Sequence, residues 1–119
     1  MDQVIDIAGR RVLDCAPIPV VQTEQQGRDL VGAALGQRCD WALVPVARLA
    51  PDFFRLGTGL AGEIVQKFAN YAIGLAVVGD IEAHLAKSAP LRDFVREANR
   101  GPALWFLPDR AAFEWKVAT

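Results

Sequence analysis

The stretch Trp41-Ala42-Leu43-Val44-Pro45-Val46 decides how this chain folds. A near-continuous apolar run of this kind is the pattern of a strand covered on both faces, with Pro45 marking a strand end or an edge. Two later runs have the same character: Ile73-Gly74-Leu75-Ala76-Val77-Val78, running into Gly79-Asp80, and Ala103-Leu104-Trp105-Phe106-Leu107 between Pro102 and Pro108. Helical spacing fills the gaps between them. Leu60 to Tyr71 sets Leu60, Ile64, Phe68 and Tyr71 on one stripe, with Glu63, Gln66, Lys67 and Asn70 opposite. Pro90 to Arg100 sets Leu91, Phe94, Val95 and Ala98 inward, with Pro90 in the first turn and Gly101 just past the end. A last helix, Asp109 to Val117, begins at a capping Asp and carries Ala112, Phe113 and Trp115.

Working back from Trp41, Thr23 is a helix N-cap for Glu24 to Leu35, with Leu30, Val31, Ala34 and Leu35 on one face and Gly36 as its C-terminal cap. Pro17 and Pro19 leave room for a brief edge strand at Val20-Val21. Val4-Ile5-Asp6-Ile7 and Arg11 to Cys15 flank Ala8-Gly9-Arg10 and predict a hairpin. Buried strands alternating with amphipathic helices define the class as α/β. The expected architecture is one domain over residues 1–119, a mainly parallel sheet of four or five strands with an N-terminal hairpin and flanking helices.

Composition narrows the function classes. The chain has 119 residues, 52% of them hydrophobic, and a formal net charge of −1, enough to bury a core without a disulfide or metal staple. Residues 1–59 carry six basic and seven acidic groups and residues 60–119 seven of each, so no basic face is set aside for nucleic acid. No apolar segment approaches the ~20 residues of a membrane span. Met1-Asp2-Gln3-Val4-Ile5-Asp6 lacks the basic region and apolar run of a signal peptide, and Cys15 and Cys39 form no CxxC pair. A cytoplasmic protein with two reduced thiols is expected.

Gly57-Thr58-Gly59-Leu60-Ala61-Gly62 is literally G-x-G-x-x-G and opens a helix. Asp80 lies 18 residues beyond Gly62, near where a dinucleotide fold places its ribose-binding acid. Against this, the ten residues Ala47 to Leu56 separate the motif from the strand that should precede it directly. The competing reading is structural: Gly57 and Gly59 shape a turn, and Gly62 lets helix and sheet pack closely. His84 is the only histidine, and the chain offers no set of His and Cys at metal-ligand spacing. Ser88, His84 and Asp80 can be written as a Ser-His-acid set, but no nucleophile elbow accompanies them. In an open parallel sheet, ligands bind beyond the carboxyl ends of the strands, where Arg48, Thr58, Asp80, Ser88 and Arg92 could converge. Glu63 and Lys67 form an i,i+4 pair on a polar stripe.

Asp52 to Ile64, Gln66-Lys67-Phe68, Val77-Val78-Gly79-Asp80 and Leu91 to Gly101 together resemble a bacterial family catalogued as domain of unknown function 4180. The resemblance covers most of residues 23–115 and departs in the Ala-rich tract Glu82 to Ala89. The element order is similar, more distantly, to STAS domains, the anti-sigma-factor antagonists. Their regulatory hydroxyl lies in an Asp-Ser-Ser/Thr-Gly-Leu turn at a helix N-terminus. Thr58-Gly59-Leu60 matches the end of that turn, while Leu56 and Gly57 replace its Asp and first Ser. These resemblances imply a non-catalytic regulatory domain without cofactor or metal, acting through a protein partner or a second copy of itself. Its contact region would lie at Thr58 and the helix from Leu60 to Tyr71. The alternative is a nucleotide- or phosphate-binding module that uses the Gly57–Gly62 turn. Arg48, Thr58, Gly59, Glu63, Lys67, Asp80, Ser88 and Arg92 are the residues expected to touch a ligand or partner.

Overall fold

A computed structural model describes residues 1–119. Two strands, β1 (Gln3–Ile7) and β2 (Arg10–Asp14), pair antiparallel across a two-residue turn. Ala8 and Gly9 both have positive φ, 54° and 79°, the geometry that matches the right-handed twist of the flanking strands. Helix α1 (Glu24–Gly36) leads to β3 (Trp41–Pro45), α2 (Leu60–Asn70) to β4 (Gly74–Val78), and α3 (Glu82–Ala86) and α4 (Ala89–Arg100) to β5 (Leu104–Leu107). Helix α5 (Arg110–Ala118) closes the chain.

The five strands lie in sequence order, with β2–β3, β3–β4 and β4–β5 parallel. The sheet is therefore mixed, where the sequence alone predicts a mainly parallel one. The tight Ala8-Gly9 turn can only reverse the chain, whereas each helical crossover brings it back in the same direction. Val20-Val21 does not form an edge strand: Val21 makes a single parallel bridge to Leu49. Between β3 and α2 the chain takes three short 3₁₀ turns, Val46–Arg48, Pro51–Phe54 and Leu56–Thr58.

Successive crossovers of one hand between neighbouring strands stack their helices on one face of the sheet. Leu13, Ala42, Val44, Leu75, Val77 and Phe106 point to that face and join Leu30, Ile64, Phe68 and Leu91 from α1, α2 and α4 in the larger core. The alternate strand residues Val12, Trp41, Leu43, Ala76 and Trp105 face the other way, onto Phe113 and Val117 of α5 alone. Trp41 and Trp105 lie 4.3 Å apart there, and Phe113 meets Trp41 edge-on at 5.5 Å.

Local signals set most helix ends. Thr23 and Gln26 form a reciprocal capping box at α1, and Asp109 caps α5 through the Ala112 N–H. Gly36 is not the α1 cap: the helix runs through it, and Arg38 takes the left-handed position at φ 56°. Leu35, in the last turn of α1, and Tyr71, the residue that ends α2, lie on the apolar stripes the sequence marks as inward, yet are exposed at 45% and 55%.

Candidate functional site

The polar residues at the carboxyl edge of the sheet are each spent on local structure. Arg48 is buried, its guanidinium donating from Nη1 to Asp2 Oδ1 (2.9 Å) and the Ala16 carbonyl (2.8 Å) and from Nη2 to Asp2 Oδ2 (3.2 Å). Asp2 Oδ1 also accepts the Ala16 N–H at 2.8 Å. Burial pushes the Asp2 carboxyl up, but these hydrogen bonds and the Arg48 charge outweigh it and hold it below its usual range. Arg48 thus ties the N-terminal strand to the chain beyond β2, and its Nε is buried without a partner. Cys15 lies beside this pair, its thiol pushed up to about 12, first by burial and then by the Asp2 carboxylate. Cys39 is raised as well, chiefly by burial. Both shifts disfavour the thiolate, the form of a cysteine that acts as a nucleophile.

Thr58 shares its hydroxyl proton between the carbonyls of Asp52 (2.7 Å) and Arg55 (2.9 Å), and its oxygen accepts the Leu60 N–H at 3.3 Å. Gly59 follows at φ 80°, a left-handed position that glycine reaches without a Cβ clash and that turns the chain into α2. Asp80 accepts the Glu82 N–H at 2.9 Å, a turn that leads into α3, whose N-cap is Ile81. Ser88 caps α4 through the Leu91 N–H at 3.1 Å, and Arg92 donates back to the Leu85 carbonyl at 2.6 Å. Arg48, Thr58, Asp80, Ser88 and Arg92 consequently form no hydrogen-bonded cluster. Asp80 lines one cleft while His84 and Ser88 line another, so the written Ser-His-acid set is not assembled.

The glycine motif fits the turn half of its structural reading, with Gly57 in a 3₁₀ turn and Gly59 at positive φ, and departs from that reading at Gly62. Against the dinucleotide reading, the 3₁₀ turns Pro51–Phe54 and Leu56–Thr58, not a strand, lead into the motif, and the second takes in Gly57 and Thr58. A Cβ placed on Gly57 or Gly62 would meet nothing within 4 Å, so Gly62 does not serve close packing of helix and sheet. The close approach is made elsewhere, by Gly27 of α1 against Ile64 of α2.

Glu63 and Lys67 are the two expected residues that the structure brings together. Lys67 Nζ donates to Glu63 Oε2 (3.4 Å) and, across the helix pair, to Glu24 Oε1 (3.1 Å). The Lys67 ammonium holds the Glu24 carboxyl below its usual range. Lys67 also lines a groove of about 230 Å³ between α1 and α2, with Val31, Leu35 and Tyr71 forming its apolar wall. The sequence did not point to this groove, because helical spacing places Leu35 and Tyr71 inward. Their positions at the C-terminal ends of α1 and α2 were the signal available.

Two further clefts flank α3. One, of about 360 Å³, is lined by Arg55, Gly57, His84, Lys87 and Ser88 over Phe54. His84 stacks on Phe54 with ring centroids 4.4 Å apart and planes 13° from parallel. The other, of about 570 Å³, has Ile81, Leu85, Val95 and Phe106 in its wall and Asp80 and Glu82 as its charged groups. No three His, Cys, Asp or Glu side chains are grouped to hold a metal ion, and no helix is long and apolar enough to cross a membrane.

A five-stranded mixed sheet with three helical crossovers on one face and a single helix on the other defines a small α/β domain. Over residues 8–117 the chain matches the family described as a domain of unknown function, DUF4180, and it belongs to that family. No curated protein and no solved structure matches it.

Proposed function

We propose that this chain is a regulatory protein-interaction domain that docks through the α1–α2 face, in the manner of the STAS-type anti-sigma-factor antagonists. The observation that carries the reading is the exposure of Leu35 and Tyr71 beside one groove. Two large apolar side chains left in water beside a concavity gain about 25 cal/mol for each Å² that a partner covers. The groove's cations do not repel such a partner. Arg28 is bonded to Glu24 and Gln25, and Lys67 to Glu24 and Glu63, so the rim is already paired.

Binding rather than turnover fits the remaining polar groups, since Ser88 caps α4, Asp80 holds the turn into α3, and His84 is bonded to neither. The reading does not use Thr58, whose hydroxyl is held by two carbonyls and which lacks the acidic residue of a STAS turn. A photo-crosslinking side chain at Leu35 or Tyr71, in cells that naturally make the protein, tests the reading. We expect a discrete adduct from both positions and none from Glu97, exposed on α4. An adduct of twice the chain mass identifies a second copy as the partner. Absence of adducts at Leu35 and Tyr71, or equal adducts at Glu97, overturns the proposal.

A further inference from the structure

The cleft between the Phe54–Gly57 turn and α3 points to a second site, independent of the α1–α2 face. We propose that it binds the phosphate group of a small molecule. Its side-chain charge has one sign: Arg55 and Lys87 line it with His84, and no carboxylate does. Lys87 and His84 make no side-chain hydrogen bond or ion pair within the protein. Arg55 is shared only with Asp52, at 3.1 Å and in the open, an arrangement worth little and readily exchanged.

Four donor groups from two separate segments border the same volume. They are the Arg55 fork, the Lys87 ammonium, a ring nitrogen of His84 and the Ser88 hydroxyl, whose oxygen accepts the Leu91 N–H while its proton remains free. A carboxylate offers two oxygens to such a set; a phosphate offers three or more, and suits an Arg fork beside a Lys point charge. The His84 ring cannot turn away freely, because Phe54 beneath it is buried and parallel to it. Across α3, the neighbouring cleft carries only Asp80 and Glu82 as charged groups and would repel the same ligand. The short helix therefore separates an anion-accepting cleft from an anion-excluding one.

His84 is the only histidine in the chain, so its ring protons give one unambiguous NMR probe of this cleft. Inorganic phosphate is titrated at fixed pH and constant ionic strength against chloride, and ribose 5-phosphate is titrated the same way. We expect a saturable shift of the His84 ring signals with phosphate and none with chloride. Lys87→Ala and Arg55→Ala should each weaken binding about tenfold, the loss of one charge-assisted hydrogen bond. Arg100→Ala, a cation on the outer face of α4, should leave it unchanged. Tighter binding of ribose 5-phosphate assigns the site to a phosphomonoester, and equal binding to free phosphate. The proposal is overturned by a non-saturable shift, by an equal response to chloride, or by unchanged affinity in both Lys87→Ala and Arg55→Ala.

Discussion

Gly57, Gly59 and Gly62 spell a phosphate-binding motif and stand in the open; Gly27 and Gly74 spell nothing and sit where the molecule is tightest. A Cβ on Gly57 or Gly62 would touch no atom within 4 Å. A Cβ on Gly74 would fall on the Trp41 indole, 2.6 Å from Cε2, and one on Gly27 would lie 2.7 Å from Ile64 Cγ1. The contrast separates two reasons for glycine. In the turn it serves backbone direction, at Gly59 alone through its positive φ. In the core it serves volume, because interiors pack to crystal density and one extra methyl has nowhere to go.

The sharpest way to break that contrast is Gly74→Ala. Trp41 cannot retreat, since Trp105 lies 4.3 Å from it on one side and Phe113 meets it at 5.5 Å on another. This aromatic trio sits in the layer between the sheet and α5, beside Val12, Leu43, Ala76 and Val117, so displacing the indole disturbs a helix as well as a strand. Overpacking of this kind costs about 3 kcal/mol, and the melting temperature should fall by about 10 °C. A fall of under about 2 °C in a thermal melt would show that the indole has room that the packing denies.

Gly27→Ala is a smaller and more divided case. Alanine in mid-helix gains about 1 kcal/mol over glycine, while its methyl meets the fully buried Ile64 at 2.7 Å. Overpacking costs of about 1–3 kcal/mol should win narrowly, for a net loss of about 1 kcal/mol in a urea titration. A double-mutant cycle sharpens the assignment. In an Ile64→Ala background the same substitution should become neutral or stabilising, because the opposing side chain is gone. An unchanged cost in that background would place the clash elsewhere.

The strands were the most legible part of the fold. Trp41–Pro45, Gly74–Val78 and Leu104–Leu107 announce themselves as apolar runs, because a strand covered on both sides has no polar positions to fill. Thr23 and Asp109 were equally plain, since a cap is a contact across three residues. What escaped the sequence is set by distance along the chain. Arg48 meets Asp2 over a separation of 46 residues, and nothing near Arg48 distinguishes a clamp from a solvent-facing cation. Leu35 and Tyr71 obey helical spacing yet end exposed, because periodicity gives a side chain's direction and not whether a neighbour reaches that far. The candidate clefts share this property: Arg55 and Lys87 come together only when β3 and β4 pair.

The smallest effect carries the opposite sign and bears directly on the motif. Gly62 is exposed in the first turn of α2, with open space where a Cβ would stand. Gly62→Ala therefore adds no clash and removes conformational freedom from the unfolded chain, which should stabilise the protein by about 0.5–1 kcal/mol. In a thermal melt the midpoint should rise by about 2–4 °C. A dinucleotide turn would behave differently, because there the glycines admit a pyrophosphate against the backbone and a methyl would obstruct it. Phosphate titrated against the His84 ring signals separates the two. The response should be the same in Gly62→Ala as in the parent chain if the anion meets Arg55 and Lys87, and lost if it lies along the glycine turn. Stabilisation with unchanged phosphate binding would leave G-x-G-x-x-G here as the spelling of a helix start.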